Sequence, residues 1–356
     1  MSPLDDPALL SLDVSGMLRH IASVGPELTR VWAATAELEL PPTAARATNV
    51  VLAGMGGSAS AGDYFASLCA ESGELPVYGC RGYALPNYVS ERSLVIVSSY
   101  SGETDEALSL YDDAWKRGAA LFCITTGGRL GGRAAEDGVP VYRIDYNGKP
   151  RTAIAHGLAP LLRIGSQFGL LTIEDADIER AAHAHQELSA RDFAPTVPID
   201  RNGAKQAATK LFGRTPFVVG SEYVAPVATR FRNQLAENGK VLGAADSFPE
   251  AAHNLIVGLG TSQAAADRVA LVALESRRRS DPRTVAKLDA FCAQFEAAAI
   301  PVVRIDVGAD RLLQELLAGT AWADHASYYL ALLNGVDPTP ITQIDQLKLA
   351  LAEPGA

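Results

Sequence analysis

The chain has 356 residues, of which 48% are hydrophobic and 20% charged, and this length is typical of two globular domains that each bury a core. Its formal net charge of −10 argues against a nucleic-acid partner, which requires a basic surface, and no run approaches the roughly 20 apolar residues of a membrane span. The four cysteines show no C-x-x-C or zinc-site spacing, and the acidic N-terminus is unlike a signal peptide, so we expect a reduced, soluble, cytoplasmic protein with no metal site.

Residues 1–45 predict a helical segment, because apolar residues recur at three- and four-residue spacing at Met17, Ile21, Val24 and Leu28. Four apolar runs then predict strands that alternate with helices, at residues 49–53, 94–98, 120–124 and 139–144. Short apolar strands of this kind predict a parallel sheet with helices on both faces. We assign residues 46–192 to this first domain.

The strand and helix pattern starts again after a proline-containing linker at residues 193–198. Residues 215–221 predict a strand that ends in glycine and serine and leads into a helix over about 225–237. Residues 268–274 repeat the second predicted strand of the first half. We therefore predict a second α/β domain over residues 199–356.

Two similar hexapeptides support an internal duplication. Residues 140–145 (PVYRID) and 301–306 (PVVRID) lie at similar distances from Gly54 and Gly220, the glycines that end the first strand of each half. We therefore align these two hexapeptides as equivalent strands.

Three predicted strands of the first half end in small and hydroxyl residues, at 56–58 (GGS), 99–104 (SYSGET) and 125–128 (TTGG). In a doubly wound sheet ligands bind at the carboxyl ends of the strands, where such turns meet. Glycines let backbone N–H groups approach an anion, and hydroxyls donate to its oxygens. Helix capping alone explains any one of these turns, but three of them at one edge favour an anion site. The turns match neither a dinucleotide fingerprint nor a Walker loop.

These turns, together with residues 126–130 (TGGRL) and 150–153 (PRTA), resemble the bifunctional phosphoglucose/phosphomannose isomerases of the sugar isomerase (SIS) superfamily. The resemblance runs from about residue 50 to the C-terminus. It implies two tandem SIS-type α/β domains, each a doubly wound parallel sheet flanked by helices, and a homodimer with a shared active site. It also implies a sugar phosphate held by the first domain at Gly57, Ser58, Ser99, Ser101 and Thr104.

Aldose–ketose isomerisation needs a base for proton transfer, an acid/base pair for ring opening and a cation near the enediolate, and we expect no metal or cofactor. The resemblance implies that Glu237 is the base, that His253 and Lys348 serve ring opening, and that Arg151 lies near the enediolate. It further implies that His253 acts in the neighbouring subunit's site. Taken alone, each of these side chains is as readily a surface or structural residue.

The sequence departs from the family beside His253. Ala252 stands where asparagine is typical, and residues 255–260 (LIVGLG) stand where an acidic residue and a Gly-Trp pair are typical. Two functions therefore stay open: an isomerase that interconverts glucose 6-phosphate or mannose 6-phosphate with fructose 6-phosphate, and a phosphosugar-binding regulatory protein without efficient chemistry. A glucosamine-6-phosphate synthase-type isomerase half is a weaker third interpretation, because we expect it to follow an amidotransferase domain with an N-terminal cysteine.

Overall fold

The computed structural model describes residues 2–259 and 267–352. The described residues do not include Met1 or the last four residues of the predicted second domain. They also do not include Gly260, which belongs to the segment 255–260 beside His253. Among the residues described, no helix is both long and apolar enough to cross a membrane.

The N-terminal segment is made of short helical pieces. They are 3₁₀ turns at Pro3–Asp5, Pro7–Leu12 and Pro42–Arg46 and the helices α1 (Met17–Ala22) and α2 (Val24–Ala34). The side chains predicted at helical spacing are buried, at Met17, Ile21, Val24 and Leu28. These pieces complete the hydrophobic core beneath the first sheet.

The first sheet is entirely parallel, with strand order β2-β1-β3-β4-β5. Its strands are β1 (Asn49–Gly54), β2 (Val77–Cys80), β3 (Ser93–Ser98), β4 (Ala120–Thr125) and β5 (Val141–Arg143). The helices of this part are α3 (Gly56–Ser72), α4 (Asp105–Lys116) and α5 (Gly128–Asp137). The central strands are apolar almost throughout because helices cover both faces of the sheet.

A helical stretch connects the two sheets. It comprises α6 (Ile154–Gln167), α7 (Asp175–Glu187), a π-helical turn at Leu188–Asp192, a 3₁₀ turn at Ile199–Arg201 and α8 (Gly203–Leu211). The second sheet is also parallel, in the order β7-β6-β8-β9. Its strands are β6 (Thr215–Ser221), β7 (Ala244–Phe248), β8 (Val269–Glu275) and β9 (Val302–Asp306), and its helices are α9 (Ala225–Glu237), α10 (Pro282–Ala297), α11 (Leu312–Leu333) and α12 (Thr342–Ala352).

The predicted fold class is confirmed: the chain is an α/β protein with two parallel sheets flanked by helices. One large hydrophobic core joins the inner faces of both sheets through a helical layer that includes α2, α3, α6, α8, α9 and α11. Helices α4 and α5 cover the outer face of the first sheet, and α10 covers that of the second. Because both halves share this core, the domain boundaries at residues 192 and 199 stay a prediction.

The alignment of the two hexapeptides is wrong, although the duplication is visible in the strand order. Residues 140–145 contain β5, whereas residues 301–306 contain β9. β9 pairs with β8 as β4 pairs with β3, so β9 is the counterpart of β4. A short apolar strand motif has few distinguishing residues, and similar hexapeptides arise on strands that are not equivalent.

Candidate active site

The turn between β1 and α3 combines an open helix start with a close approach between two backbones. Gly56 has φ of +52°, in the left-handed region that favours glycine. A Cβ added to Gly57 would lie 2.6 Å from the carbonyl oxygen of Pro150 and 3.0 Å from the amide nitrogen of Arg151. Only glycine therefore lets the loop that carries Arg151 pack against the start of α3.

Hydroxyl groups from two turns meet beside this helix start. Ser58 lies in the first turn of α3, and its Oγ accepts a hydrogen bond of 3.3 Å from the backbone amide of Tyr100. In the turn after β3, the Oγ of Ser99 and the Oγ1 of Thr104 are 2.9 Å apart. Two predicted groups of hydroxyls thus share one sheet edge, and the helix dipole favours an anion there.

Ser101 and Thr104 are available for further hydrogen bonds. Ser101 is exposed, and its Oγ accepts from the amide of Glu103 at 3.2 Å. Thr104 precedes α4, but its side chain makes no capping hydrogen bond. Capping therefore does not account for Thr104, and its binding of a phosphate stays a prediction.

The third glycine- and threonine-containing turn supports the second turn. The hydroxyl of Thr126 donates to the carbonyl of Tyr100 at 2.7 Å. A Cβ on Gly102, which has φ of +71°, would lie 1.9 Å from the carbonyl oxygen of Gly127. The third turn therefore packs against the second, and the residues predicted to bind the phosphate all lie in the first two turns.

Arg151 is buried, with 2% of its side chain exposed, in a 3₁₀ turn between β5 and α6. Its Nε donates to Asn238 Oδ1 at 2.7 Å, and its Nη2 donates to the carbonyls of Pro338 and Thr339 at 2.9 Å each. Its Nη1 lies 3.4 Å from Glu237 Oε2. Burial lowers the pKa of Arg151, but the guanidinium stays charged because its ordinary pKa is far above neutral.

The Arg151 backbone is also held in place. Arg230 donates to the carbonyl of Arg151 at 3.0 Å and forms a buried ion pair with Asp324 at 2.6 Å. Gln234 donates to the same Asp324 carboxylate at 2.8 Å. From the other side, the phenol of Tyr100 donates to loop carbonyls at residues 146 and 148. The hydroxyl turn and Arg151 are therefore parts of one connected structure.

Glu237 ends α9, and 25% of its side chain is exposed, so it borders solvent while Arg151 does not. Asn238 follows it, fully buried, and donates to Ser327 Oγ at 3.0 Å. Lys240 donates to the carbonyl of Pro340 at 2.6 Å, and burial together with Arg151 lowers the pKa of this lysine. A partly exposed carboxylate beside a fixed guanidinium can move a proton next to a developing negative charge.

Within one chain, His253 lies apart from the cluster formed by Arg151, Glu237 and Asn238. It is exposed, in a 3₁₀ turn after β7, at the carboxyl edge of the second sheet. Glu237 lies at the opposite, amino edge of this sheet. The helix α9 runs antiparallel to β6, and after α9 the chain passes Pro216, near the start of β6. Since β6 has 7 residues, the two edges are about 20 Å apart. The structure therefore does not bring His253 and Glu237 together in one chain.

The residues that depart from the family beside His253 have a packing role. Ala252, Leu255 and Ile256 pack against the outer hydrophobic cluster of the second sheet, which contains Phe248. This packing anchors the segment and leaves His253 facing outward.

Lys348 also lies apart from the other predicted residues. It is exposed on α12, about 9 Å along the helix from its first residue, Thr342. The segment before α12 is held at the cluster, because the carbonyls of Pro338 and Thr339 accept from Arg151. The structure thus starts α12 beside Glu237 and Arg151, with Lys348 farther out.

The buried groups behind Arg151 were not predicted from the sequence. Asn238, directly after Glu237, is used entirely inside the protein. Asp324 is an acid in a mostly apolar stretch of α11, and it is buried there, which requires a buried partner. That pattern was a signal in the sequence, although it does not identify Arg230 as the partner.

Two family models match the chain. Residues 45–130 match a model described as "SIS domain", and residues 200–351 match one described as "Bacterial phospho-glucose isomerase C-terminal SIS domain". These segments contain β1–β4 and β6–β9, the strands that the two sheets share in order.

Curated relatives cover most of the chain. A bifunctional phosphoglucose/phosphomannose isomerase from Caldicellulosiruptor bescii is 35% identical over 306 residues, which are 85% of this chain and 89% of that protein. A protein of the same name from Thermoplasma acidophilum is 29% identical over 85% of this chain and 89% of its own length. A D-glucosamine-6-phosphate 4-epimerase from Sulfolobus acidocaldarius is 26% identical over 60% of this chain and 65% of its own.

Solved structures share the fold. A glucose-6-phosphate isomerase like protein from Thermus thermophilus superposes with a TM-score of 0.62 and 19% identity, over 98% of this chain and 99% of that one. The C-terminal domain of glucosamine-fructose-6-phosphate aminotransferase from Francisella tularensis gives 0.66 and 16% identity, over 91% and 97%. At these identities the likeness concerns the fold alone.

Proposed function

The chain belongs to the family of bifunctional phosphoglucose/phosphomannose isomerases, and on this basis we propose that it interconverts glucose 6-phosphate or mannose 6-phosphate with fructose 6-phosphate. The observation that supports this most is the cluster at the first-domain turn. Glu237 there lies 3.4 Å from a buried Arg151, and Gly57 brings the Arg151 loop against the start of α3.

The substrate phosphate binds at the start of α3 in this proposal. Ser58, Ser99, Ser101 and Thr104 supply hydroxyl groups there, and the helix dipole favours the negative charge. Gly57 keeps the backbone open for a close approach, as it does toward Pro150. With its phosphate fixed at this edge, the sugar extends toward Arg151 and Glu237.

The chemistry is a proton transfer between two sugar carbons. Glu237 takes the proton from C2 of the open-chain aldose and returns it to C1, while a hydroxyl proton moves from O2 to O1. The intermediate is an enediolate, whose negative charge the Arg151 guanidinium stabilises. Three hydrogen bonds of Arg151 go to protein oxygens, so its charge is oriented before the substrate arrives.

The rival function, a phosphosugar-binding regulator without efficient chemistry, needs only the hydroxyl turns. It gives no reason for burying an arginine against a solvent-bordering carboxylate, since an unneeded buried charge is costly to keep. The preserved Arg151 and Glu237 pair therefore favours the enzyme.

A direct assay tests this function. We expect purified protein incubated with mannose 6-phosphate or glucose 6-phosphate to form fructose 6-phosphate, because all the groups for proton transfer are present. Coupled detection of fructose 6-phosphate measures the rate with each substrate. Saturable binding of both substrates without any product would instead support the regulator.

We also propose that the protein is a homodimer in which His253 completes the partner's active site. The support is the separation of His253 and Glu237 to opposite edges of the second sheet. Helix α12 also exposes apolar side chains that a partner would cover, at Leu347, Leu349 and Leu351. In this arrangement His253 opens the sugar ring at the subunit interface. Lys348, which lies on the same helix as these leucines, assists ring opening there.

Mixing two inactive variants tests this arrangement. We expect Glu237→Gln and His253→Ala to be inactive alone, and a mixture refolded together to recover about a quarter of the wild-type activity, because half of a random mixture is heterodimer with one intact site in two. Activity of the mixed, co-refolded sample is the measurement, and each variant refolded alone is the control. No recovery, with dimers present by light scattering, would place His253 in its own subunit's site, and activity of His253→Ala refolded alone would place it outside catalysis.

We further propose that the protein works in the cytoplasm. The four cysteines are free and buried, and burial raises the pKa of Cys69 and Cys123 to about 12. Unpaired buried thiols suit a reducing compartment. Recovery from another fraction of fractionated cells would contradict this.

A further inference from the structure

The turn between β6 and α9 in the second domain is the counterpart of the turn between β1 and α3 in the first domain, where we place the phosphate. Gly54 pairs with Ser98 across β1 and β3, and Gly220 pairs with Leu274 across β6 and β8, so the two glycines hold the same place in their sheets. Each strand then leads through a turn into the helix that packs beside it, α3 or α9. The two turns can therefore be compared residue by residue.

Two residues after each glycine the backbone takes the same conformation. Gly56 has φ of +52°, and the residue at the matching place, Glu222, has φ of +44°. This left-handed region suits glycine, and a glutamate is uncommon there because its Cβ is crowded. The second domain thus keeps the turn of an anion site while placing a carboxylate at its tip.

The carboxylate of Glu222 reaches from this turn to the start of α10. Its Oε1 accepts from the hydroxyl of Thr284 at 2.8 Å, and its Oε2 accepts from the backbone amide of Asp281 at 3.3 Å. α10 follows β8 as α4 follows β3, so Glu222 spans the same pair of turns that offers hydroxyls to a phosphate in the first domain. The hydroxyls of Ser221 and Ser280, 3.3 Å apart, join these turns as well.

The start of α9 lacks two features that the first-domain turn offers to a phosphate. Tyr223 and Val224 stand where the first domain has Gly57 and Ser58, so the close backbone approach of Gly57 and the serine hydroxyl of Ser58 have no counterpart at the start of α9.

The adjoining cleft is acidic. This space of about 1080 Å³ is bordered by the carboxylates of Asp63, Asp246, Asp281 and Glu222 but only by the guanidinium groups of Arg81 and Arg279. Both arginines are paired with carboxylates, Arg81 with Asp63 and Arg279 with Glu315. In the wild-type chain a phosphate entering here would meet net negative charge, part of which Glu222 itself supplies.

We propose that the carboxylate of Glu222 occupies the anion site of the second domain, so that each chain binds a single sugar phosphate, in the first domain. The donors that an external anion would use, the Asp281 amide and the Thr284 hydroxyl at the start of α10, are taken by the protein's own side chain. Removing that side chain uncovers a second anion site. Asp281 does not close it, because its carboxylate is turned to the amide and guanidinium of Arg283.

Equilibrium dialysis with labelled inorganic phosphate tests this. We expect one phosphate per wild-type chain and two per Glu222→Gly chain, since glycine accepts the left-handed backbone and uncovers the donors. Glu222→Gln is the matched control: it keeps a side chain of the same size with an oxygen for Thr284, and we expect it to bind one. A crystal structure of Glu222→Gly with phosphate should place the added anion at the Asp281 amide.

Two results would overturn the proposal. One is a folded Glu222→Gly protein that binds no more phosphate than wild type. The other is a wild-type chain that binds a phosphate at the Asp281 amide, and this result can be observed without any variant. Failure of the first-domain site is distinguishable, because it would remove the phosphate common to all three proteins and leave the difference between Glu222→Gly and wild type unchanged. Isomerase activity of Glu222→Gly should equal that of wild type.

Discussion

Replacing Glu237 with glutamine should lower kcat for isomerisation by about 10²–10⁴-fold, the range for loss of a general base. Glutamine keeps the shape of the side chain and one acceptor oxygen, but it cannot take up a proton at neutral pH. Affinity for the sugar phosphate should change little, because the phosphate is assigned to the hydroxyl turns of the first domain. Arg151 should also stay in place, since Asn238 and the carbonyls of Pro338 and Thr339 still hold it.

Steady-state kinetics and direct calorimetric binding of fructose 6-phosphate separate these two effects. Glu296→Gln, an exposed carboxylate at the end of α10, is the matched control and should leave both unchanged. Ser101→Ala should act in the opposite sense and weaken binding more than turnover. If Glu237→Gln retains wild-type kcat, solvent-deuterium exchange at the sugar C2 must be assigned to another group, and Glu237 is not the base.

The strands that are most evident in the sequence are those buried on both faces. β3 and β4 are buried at every residue, and their apolar runs are evident. β2 and β7, which are edge strands with exposed residues such as Tyr78 and Asp246, were not predicted. The other two edge strands, β5 and β9, were found because they contain short apolar runs, whereas β2 has only four residues including Gly79, and β7 contains Asp246 and Ser247.

The candidate site could be predicted only in part for a related reason. The hydroxyl turns are local and each follows a strand, so their residues can be found along the chain. Arg151 and Glu237 are 86 residues apart and meet because the Arg151 turn packs on α3, which packs on α9. No local pattern encodes that meeting, and it was the family resemblance that named both residues. The support from Asn238 and Asp324 depends on tertiary packing, and their partners Arg151 and Arg230 could not be identified along the chain.

Replacing Asp324 with alanine should lower the free energy of unfolding by about 3–5 kcal/mol, the usual loss when one partner of a buried ion pair is removed. Arg230 and Asp324 are 2% and 1% exposed, so solvent does not reach the charge left behind. Gln234 would lose its acceptor as well. Urea denaturation of the variant and the wild type measures the difference, and a loss below about 1 kcal/mol would show that water or another group compensates the arginine.

Arg230 of this pair also holds the backbone of Arg151, and a double variant separates this role from stability. Arg230→Met with Asp324→Leu removes both charges, so it should be more stable than Asp324→Ala, because no unpaired charge stays buried. It should nevertheless turn over more slowly than wild type, since the carbonyl of Arg151 loses its donor Arg230 and the guanidinium is less well oriented toward the enediolate. The effect should appear in kcat while KM changes little, because the phosphate site is not touched. A stable double variant with wild-type kcat would show that Arg151 is positioned by its side-chain contacts with Asn238, Pro338 and Thr339 alone.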